Sequence, residues 1–211
     1  AKAAEALPLE EMLRTRMKRN FENVLKNNGG EMFCTEKDMV EFYMHGVEIL
    51  KFIRKKRAQY FSKKGYELVG IEVPLEYDLP NNIKFIGYID VVIKDTVRDV
   101  IKIYDIKTST MGWNKWMKAD KNKTDQLLLY KQFYSKQFNH PMDRIEVEYF
   151  IVKRKLYENL DFPQKRVQKF APANGKPSIN QVVKRLDEFM TESFKSDGEY
   201  NTEHIYRKEP S

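Results

Sequence analysis

Two strand-like runs in the middle of the chain carry an aspartate where a core side chain is expected, and that placement constrains the fold and the chemistry together. Residues 67–74 (ELVGIEVP), 83–93 (IKFIGYIDVVI) and 100–107 (VIKIYDIK) are rich in β-branched and aromatic residues and are separated by short polar turns. Only residues 94–99 join the second run to the third, which forces an antiparallel hairpin. A fourth run, 145–154 (IEVEYFIVKR), is reached through a helical stretch from Thr124 to about Asn139. A right-handed crossover then lays it parallel to the third strand.

Two helices precede the strands. Residues 8–26 form a charged helix closed by Asn27-Asn28-Gly29-Gly30, residues that tolerate left-handed turns. Thr35 and Asp38, three apart, make a capping-box start for a second helix running to about Phe61. It carries Met39, Phe42, Tyr43, Ile49, Leu50 and Ile53 at helical spacing. A closing helix is expected over 178–195. The order ααβββαβ-α predicts an α/β fold, a mixed sheet of four to five strands flanked by helices.

There is no internal repeat and no long Pro/Gly/Ser linker, so the 211 residues read as one domain. Within it, 1–34 form a helical extension, 35–154 the core, and 155–211 a C-terminal extension with the closing helix. No apolar run approaches the ~20 residues of a membrane helix. Cys34, the single cysteine, excludes an intrachain disulfide and a cysteine-only zinc or iron–sulfur site, and suits a reducing, cytoplasmic setting. Lys plus Arg exceed Asp plus Glu by 38 to 31, a net +7 that favours a polyanionic partner without requiring one.

Strand alternation puts Ile86, Tyr88, Asp90 and Val92 on one face of the second strand, and Ile101, Ile103, Asp105 and Lys107 on one face of the third. A carboxylate buried without a partner protonates or finds a cation. One arrangement is a salt-bridged cluster in which Lys107 neutralises both acids. The other is a hard-cation site: two carboxylates on neighbouring strands repel unless a divalent ion lies between them. Asp-x-Lys at the end of a buried strand, with an aspartate on the hairpin partner, is what metal-assisted phosphodiester hydrolysis needs. The ammonium there orients water or offsets charge developing on phosphorus.

Gly87-Tyr88-Ile89-Asp90 followed by Tyr104-Asp105-Ile106-Lys107-Thr108-Ser109 resembles the PD-(D/E)XK nuclease superfamily, with its restriction-endonuclease-like core. Ile89-Asp90 stands where the motif name has Pro-Asp. The likeness is closer to RecB-type nucleases, because Gln126 and Tyr130 in the next helix match their Gln-x-x-x-Tyr motif and, at i and i+4, project from one helical face. The resemblance covers roughly residues 35–154.

That resemblance implies a DNA exonuclease leaving 5′-phosphates, in recombination, repair or phage DNA processing. It further implies a bacterial or phage-infected cytoplasm and a helicase or recombination partner. It makes Asp90, Asp105 and Lys107 catalytic. His45, Asp90, Asp105 and the Ile106 carbonyl become ligands of one Mg²⁺ or Mn²⁺, with Glu72 a further ligand candidate and a second ion joining with substrate. Gln126, Tyr130 and Ser109 become substrate contacts. His45 lies roughly 40° round the helix from Ile49, on the shoulder of the apolar stripe. Several relatives hold a four-cysteine iron–sulfur cluster, which Cys34 alone cannot form. Some phage-type relatives carry a Cys-x-x-Cys tail after a segment like Tyr206-Arg207-Lys208-Glu209-Pro210.

An endonuclease of the same fold, or a DNA-binding module that does not cut, are the competing expectations. RNA is a weaker one, since no RNA-binding module is recognisable. DNA contacts are expected from a basic loop over 110–123 with Trp113, Lys115, Trp116, Lys118, Lys121 and Lys123; its tryptophans either stack on unpaired bases or pack on the body. A second basic stretch runs from Lys153 to Lys169, read first as solvated surface.

Overall fold

The computed structural model describes residues 7–32, 34–61, 63–157 and 161–203. The segment Tyr206-Arg207-Lys208-Glu209-Pro210 lies outside them. The chain divides into two compact units, Ala1–Lys64 with Thr108–Gly112 and Val152–Gln168, and Gly65–Lys107 with Trp113–Ile151 and Lys169–Ser211. Their boundaries cross the sequence divisions at residues 34 and 154.

The first unit is mainly helical. Helix α1 (Leu9–Asn27) carries Glu10 and Glu11 in its first turn, where they complement the helix dipole. Helix α2 (Glu36–Tyr60) begins with the capping box expected from Thr35 and Asp38, each side chain bonding the other's backbone N–H. At Gly46 an added Cβ would stand 2.7 Å from Leu13 Cδ2, so glycine sets how closely α1 approaches α2. Among the described residues of this unit, Val47, Val152 and Val167 are buried.

The second unit holds most of a five-stranded mixed sheet in the order β1-β2-β3-β4-β5, flanked by helices. Strand β1 (Tyr66–Asp78) pairs antiparallel with β2 (Lys84–Asp95), and β2 with β3 (Val100–Ser109). β1 runs past Pro74, where a strand end was expected. It is an edge strand, where the missing N–H costs little. The side-chain amide of Gln137 serves the neighbouring edge groups, accepting from Glu76 N at 2.8 Å and donating to the Pro74 carbonyl. The β2–β3 turn is held by Asp95, whose Oδ1 accepts from Val97 N and Arg98 N.

The expected loop over 110–123 contains a short helix, α3 (Lys115–Ala119), and the next helix, α4 (Lys121–Gln137), starts earlier than Thr124. The cause is local: Asn114 and Asp120 each accept a backbone N–H as N-caps. β4 (Ile145–Lys153) follows, and the chains advance in the same sense just beyond β3 and β4, Arg154 N donating to Ser109 O and Lys155 N to Thr110 O. A short β5 (Val167–Phe170) emerges from the segment read as mixed, and helix α5 (Lys176–Ser193) closes the fold. The core clusters Leu75, Ile89, Val92, Ile101, Ile103, Leu127 and Phe133 with the inward row of β4, Ile145, Val147, Tyr149 and Ile151.

Among the described residues no helix is long and apolar enough to cross a membrane.

Candidate active site

The β2–β3 ladder stops at the Val91↔Tyr104 pair, one step short of the two acids. Beyond it the Asp90 carboxylate replaces the ladder, Oδ2 accepting from Ile106 N at 2.5 Å. That bond places Asp90 against the peptide that follows Asp105. The usual pattern is inverted here, because Asp105 is 2% exposed while Ile106 is exposed. Burial pushes the Asp105 carboxyl above its ordinary range, the Lys107 ammonium opposes that shift, and the Asp90 charge adds to it.

Lys107 Nζ stands 2.8 Å from Asp105 Oδ2. The contact is an ion pair rather than a directed hydrogen bond, and the wholly buried Oδ2 has no hydrogen-bond donor aimed at it. The same ammonium donates to Gln126 Oε1 at 2.9 Å, and Gln126 Nε2 donates to Tyr130 Oη at 2.9 Å. The i, i+4 pair on α4 is thus joined to the strand lysine as one polar chain, Asp105–Lys107–Gln126–Tyr130. Gly87 makes this possible: an added Cβ would stand 2.9 Å from Tyr130 Cε1.

Tyr149 was not singled out in the sequence, although the alternation of β4 marks it as inward. It is fully buried, lies 6.0 Å beneath the Lys107 ammonium, and donates to the Lys123 carbonyl at 2.5 Å in the first turn of α4. Burial raises its phenol, with the Asp105 charge adding to the effect.

The remaining candidates are distributed as follows. His45 belongs to the helical unit; its Nδ1 is buried without a hydrogen bond and lies 3.9 Å from Glu41 Oε1. Glu72 is exposed on β1 between the Ile71↔Val91 and Val73↔Ile89 pairs, with φ 52°, a left-handed backbone unusual for a strand glutamate. Ser109 Oγ donates to Gly112 O and accepts from Gly112 N, so its hydroxyl closes a turn.

Trp113 does not meet the expectation of stacking on a base. It is 7% exposed, with Tyr149 at 4.9 Å and Phe170 at 6.2 Å, so its ring faces are spent on the core. Trp116 is 72% exposed, with Lys115 Nζ 4.7 Å from its ring. Of the other loop lysines, Lys118 lies over Phe170 and Lys123 bonds Asp120. The basic stretch from Lys153 to Lys169 is largely engaged: Lys155 with Glu41, Arg154 with Thr110, Arg166 with the carbonyls of Lys153 and Arg154, Lys169 with Glu148.

Among the described residues no three His, Cys, Asp or Glu side chains gather as a metal-binding group. Asp90 and Asp105 still suit Mg²⁺ or Mn²⁺, which use one or two carboxylates and take their remaining ligands from carbonyls, water and phosphate. The donor-less buried oxygen of Asp105 is the feature such an ion would satisfy.

No protein-family profile and no curated protein matches the sequence. Among solved structures, one from Eubacterium rectale, provisionally named an exonuclease, is similar at 14% identity and a TM-score of 0.45, with 89% of this chain and 65% of that chain covered. A second, SSO0001, is similar at 12% identity and a TM-score of 0.37, with 86% and 74% covered. The chain therefore spans just under two thirds of the first neighbour's length.

Proposed function

We propose that this chain is a divalent-metal-dependent deoxyribonuclease of the PD-(D/E)XK superfamily, RecB-like in its Gln-x-x-x-Tyr motif. It hydrolyses phosphodiester bonds from DNA ends and leaves 5′-phosphates. The observation that carries this is the buried Asp105 beside a lysine whose ammonium is fixed from α4. A purely structural ion pair needs neither the donor-less oxygen nor the second acid held against the same peptide.

Asp90, Asp105 and the Ile106 carbonyl hold Mg²⁺ or Mn²⁺; His45 and Glu72 are the further candidate ligands. The ion, when bound, polarises the phosphoryl oxygen and lowers the pKa of its water. Lys107 places a proton donor beside the reacting phosphate, orienting the water and offsetting charge that develops on phosphorus. Gln126 acts through Lys107: its carbonyl oxygen is spent on the ammonium and its amide on Tyr130, so the pair positions the lysine before it touches DNA. Lys115 and Trp116 supply an exposed cation and a stacking surface for the strand. Ser109 contributes by holding the turn that follows the motif.

The test uses 5′- and 3′-labelled linear DNA beside closed circular DNA, with Mg²⁺, Mn²⁺ or EDTA. Linear DNA is degraded with either metal, circles survive, and Asp105→Ala and Lys107→Ala abolish cutting while remaining folded. Cleaved circles identify an endonuclease of the same fold. Full activity in either variant, or in excess EDTA, contradicts the mechanism. DNA binding without cleavage identifies a non-cutting module.

A further inference from the structure

Strand β2 has an outward face that its neighbours leave bare. At Gly87 the strand packs against the Tyr130 ring, so the residues on either side, Ile86 and Tyr88, project away from α4. They are 61% and 55% exposed, and exposure falls along this face through half-buried Asp90 to Val92 at 0%. An apolar strip thus descends from solvent to the carboxylate. Across the β1–β2 ladder Tyr88 pairs with Pro74 and Ile86 with Glu76. Among the described residues, nothing hydrogen-bonds the Tyr88 hydroxyl and no ring stacks on it.

A bare tyrosine is costly on a sheet face unless something covers it in use. Tyr88 is one strand repeat from Asp90 on the same face, about 7 Å along the strand. A phosphate held at Asp90 carries its nucleoside outward, toward the one aromatic on the strip. Base–aromatic stacking accepts any base but requires one whose face is free.

We infer that Tyr88 stacks on the base adjoining the scissile phosphate, so that this strand face selects unpaired nucleotides. This rests on the phosphodiesterase assignment above. Tyr88 is then a specificity-determining residue: it contacts substrate and takes no part in proton transfer.

The test is binding, with Ca²⁺ in place of Mg²⁺, of single-stranded oligonucleotides carrying 2-aminopurine at the terminal position, beside abasic and fully paired versions. Wild-type protein quenches the 2-aminopurine emission and prefers the unpaired base to the abasic site. Tyr88→Ala loses the quenching and weakens binding of the base-bearing strand about ten-fold, within the range of one base–aromatic stack, while abasic binding changes little. Tyr88→Phe and Tyr88→Trp retain quenching and affinity, which separates a lost ring from a disturbed sheet. Unchanged quenching in Tyr88→Ala overturns the assignment, and so does equal weakening on abasic DNA. A shift of Tyr88→Ala on size-exclusion chromatography with nucleic-acid binding intact overturns it too, marking the strip as a protein interface. Wild-type protein that binds no nucleic acid refutes the nuclease assignment itself; a wild-type nuclease indifferent to the base refutes Tyr88 alone.

Discussion

Replacing Lys107 with methionine removes the ammonium while keeping most of the side-chain volume, and leaves Asp105 buried with no counter-charge. Removing one partner of a fully buried pair costs about 3–5 kcal/mol. Asp105 is fully enclosed, but the Lys107 side chain is 33% exposed. Water near the ammonium screens part of the attraction, which brings the expected loss to about 2–3 kcal/mol. At about 2–4 °C per kcal/mol for a chain of this length, the midpoint falls by about 4–12 °C. Asp105→Asn removes the buried charge itself and leaves Lys107 with Gln126 and water, so it shifts stability by less than about 1 kcal/mol. The double variant resembles Asp105→Asn, giving an interaction energy near ~2 kcal/mol.

The sign of the pH dependence follows from Asp105. Its folded-state carboxyl lies above the ordinary 3.8, so the folded chain holds more protons than the unfolded one between that value and the raised one. Stability attributable to this group therefore falls as pH climbs through that window and is level above it. Lys107→Met raises the folded value further, because the attraction opposing burial is gone. The deficit opens as pH rises and is nearly absent below about pH 4. Urea unfolding in EDTA at pH 8 and at pH 4 measures both ends. A deficit below about 0.5 kcal/mol at pH 8, or the same deficit at both pH values, refutes a buried, coupled pair.

Trp113→Ala removes an indole packed on Tyr149 and Phe170 and destabilises by about 3–5 kcal/mol, whereas Trp116→Ala changes unfolding by less than about 0.5 kcal/mol; urea titrations of both variants decide. Gly87→Ala forces a Cβ to 2.9 Å from the Tyr130 ring, costing about 1–3 kcal/mol; relief of that loss in Gly87→Ala/Tyr130→Leu checks the contact. Thr35→Ala removes one half of the α2 capping box and lowers stability by about 1 kcal/mol, read by thermal unfolding followed at 222 nm.

Local rules carry far in this chain. Thr35 and Asp38 announce the start of α2 because a capping box is satisfied within four residues, and the six-residue connection between β2 and β3 forces an antiparallel hairpin. The two acids stand out because charges are rare in runs that apolar. The helix pair Gln126 and Tyr130 is legible as one face of α4. Its link to Lys107 is not, since that bond spans 19 residues of chain and depends on how α4 lies against the sheet.

Trp113 shows the limit. In sequence it sits in a basic loop beside Trp116, and nothing local distinguishes the two indoles. Packing against Tyr149 on β4 and Phe170 on β5 draws one inward, while the N-cap of α3 turns the other out. Residue type and period determined the strands, the helices and the acids that interrupt them, because those properties are set within a few bonds. Tertiary structure decided which indole is core, where the β2–β3 ladder gives way to the Asp90 carboxylate, and what holds Lys107. Each of these depends on contacts between segments far apart in the chain, where burial and shape prevail over local preference.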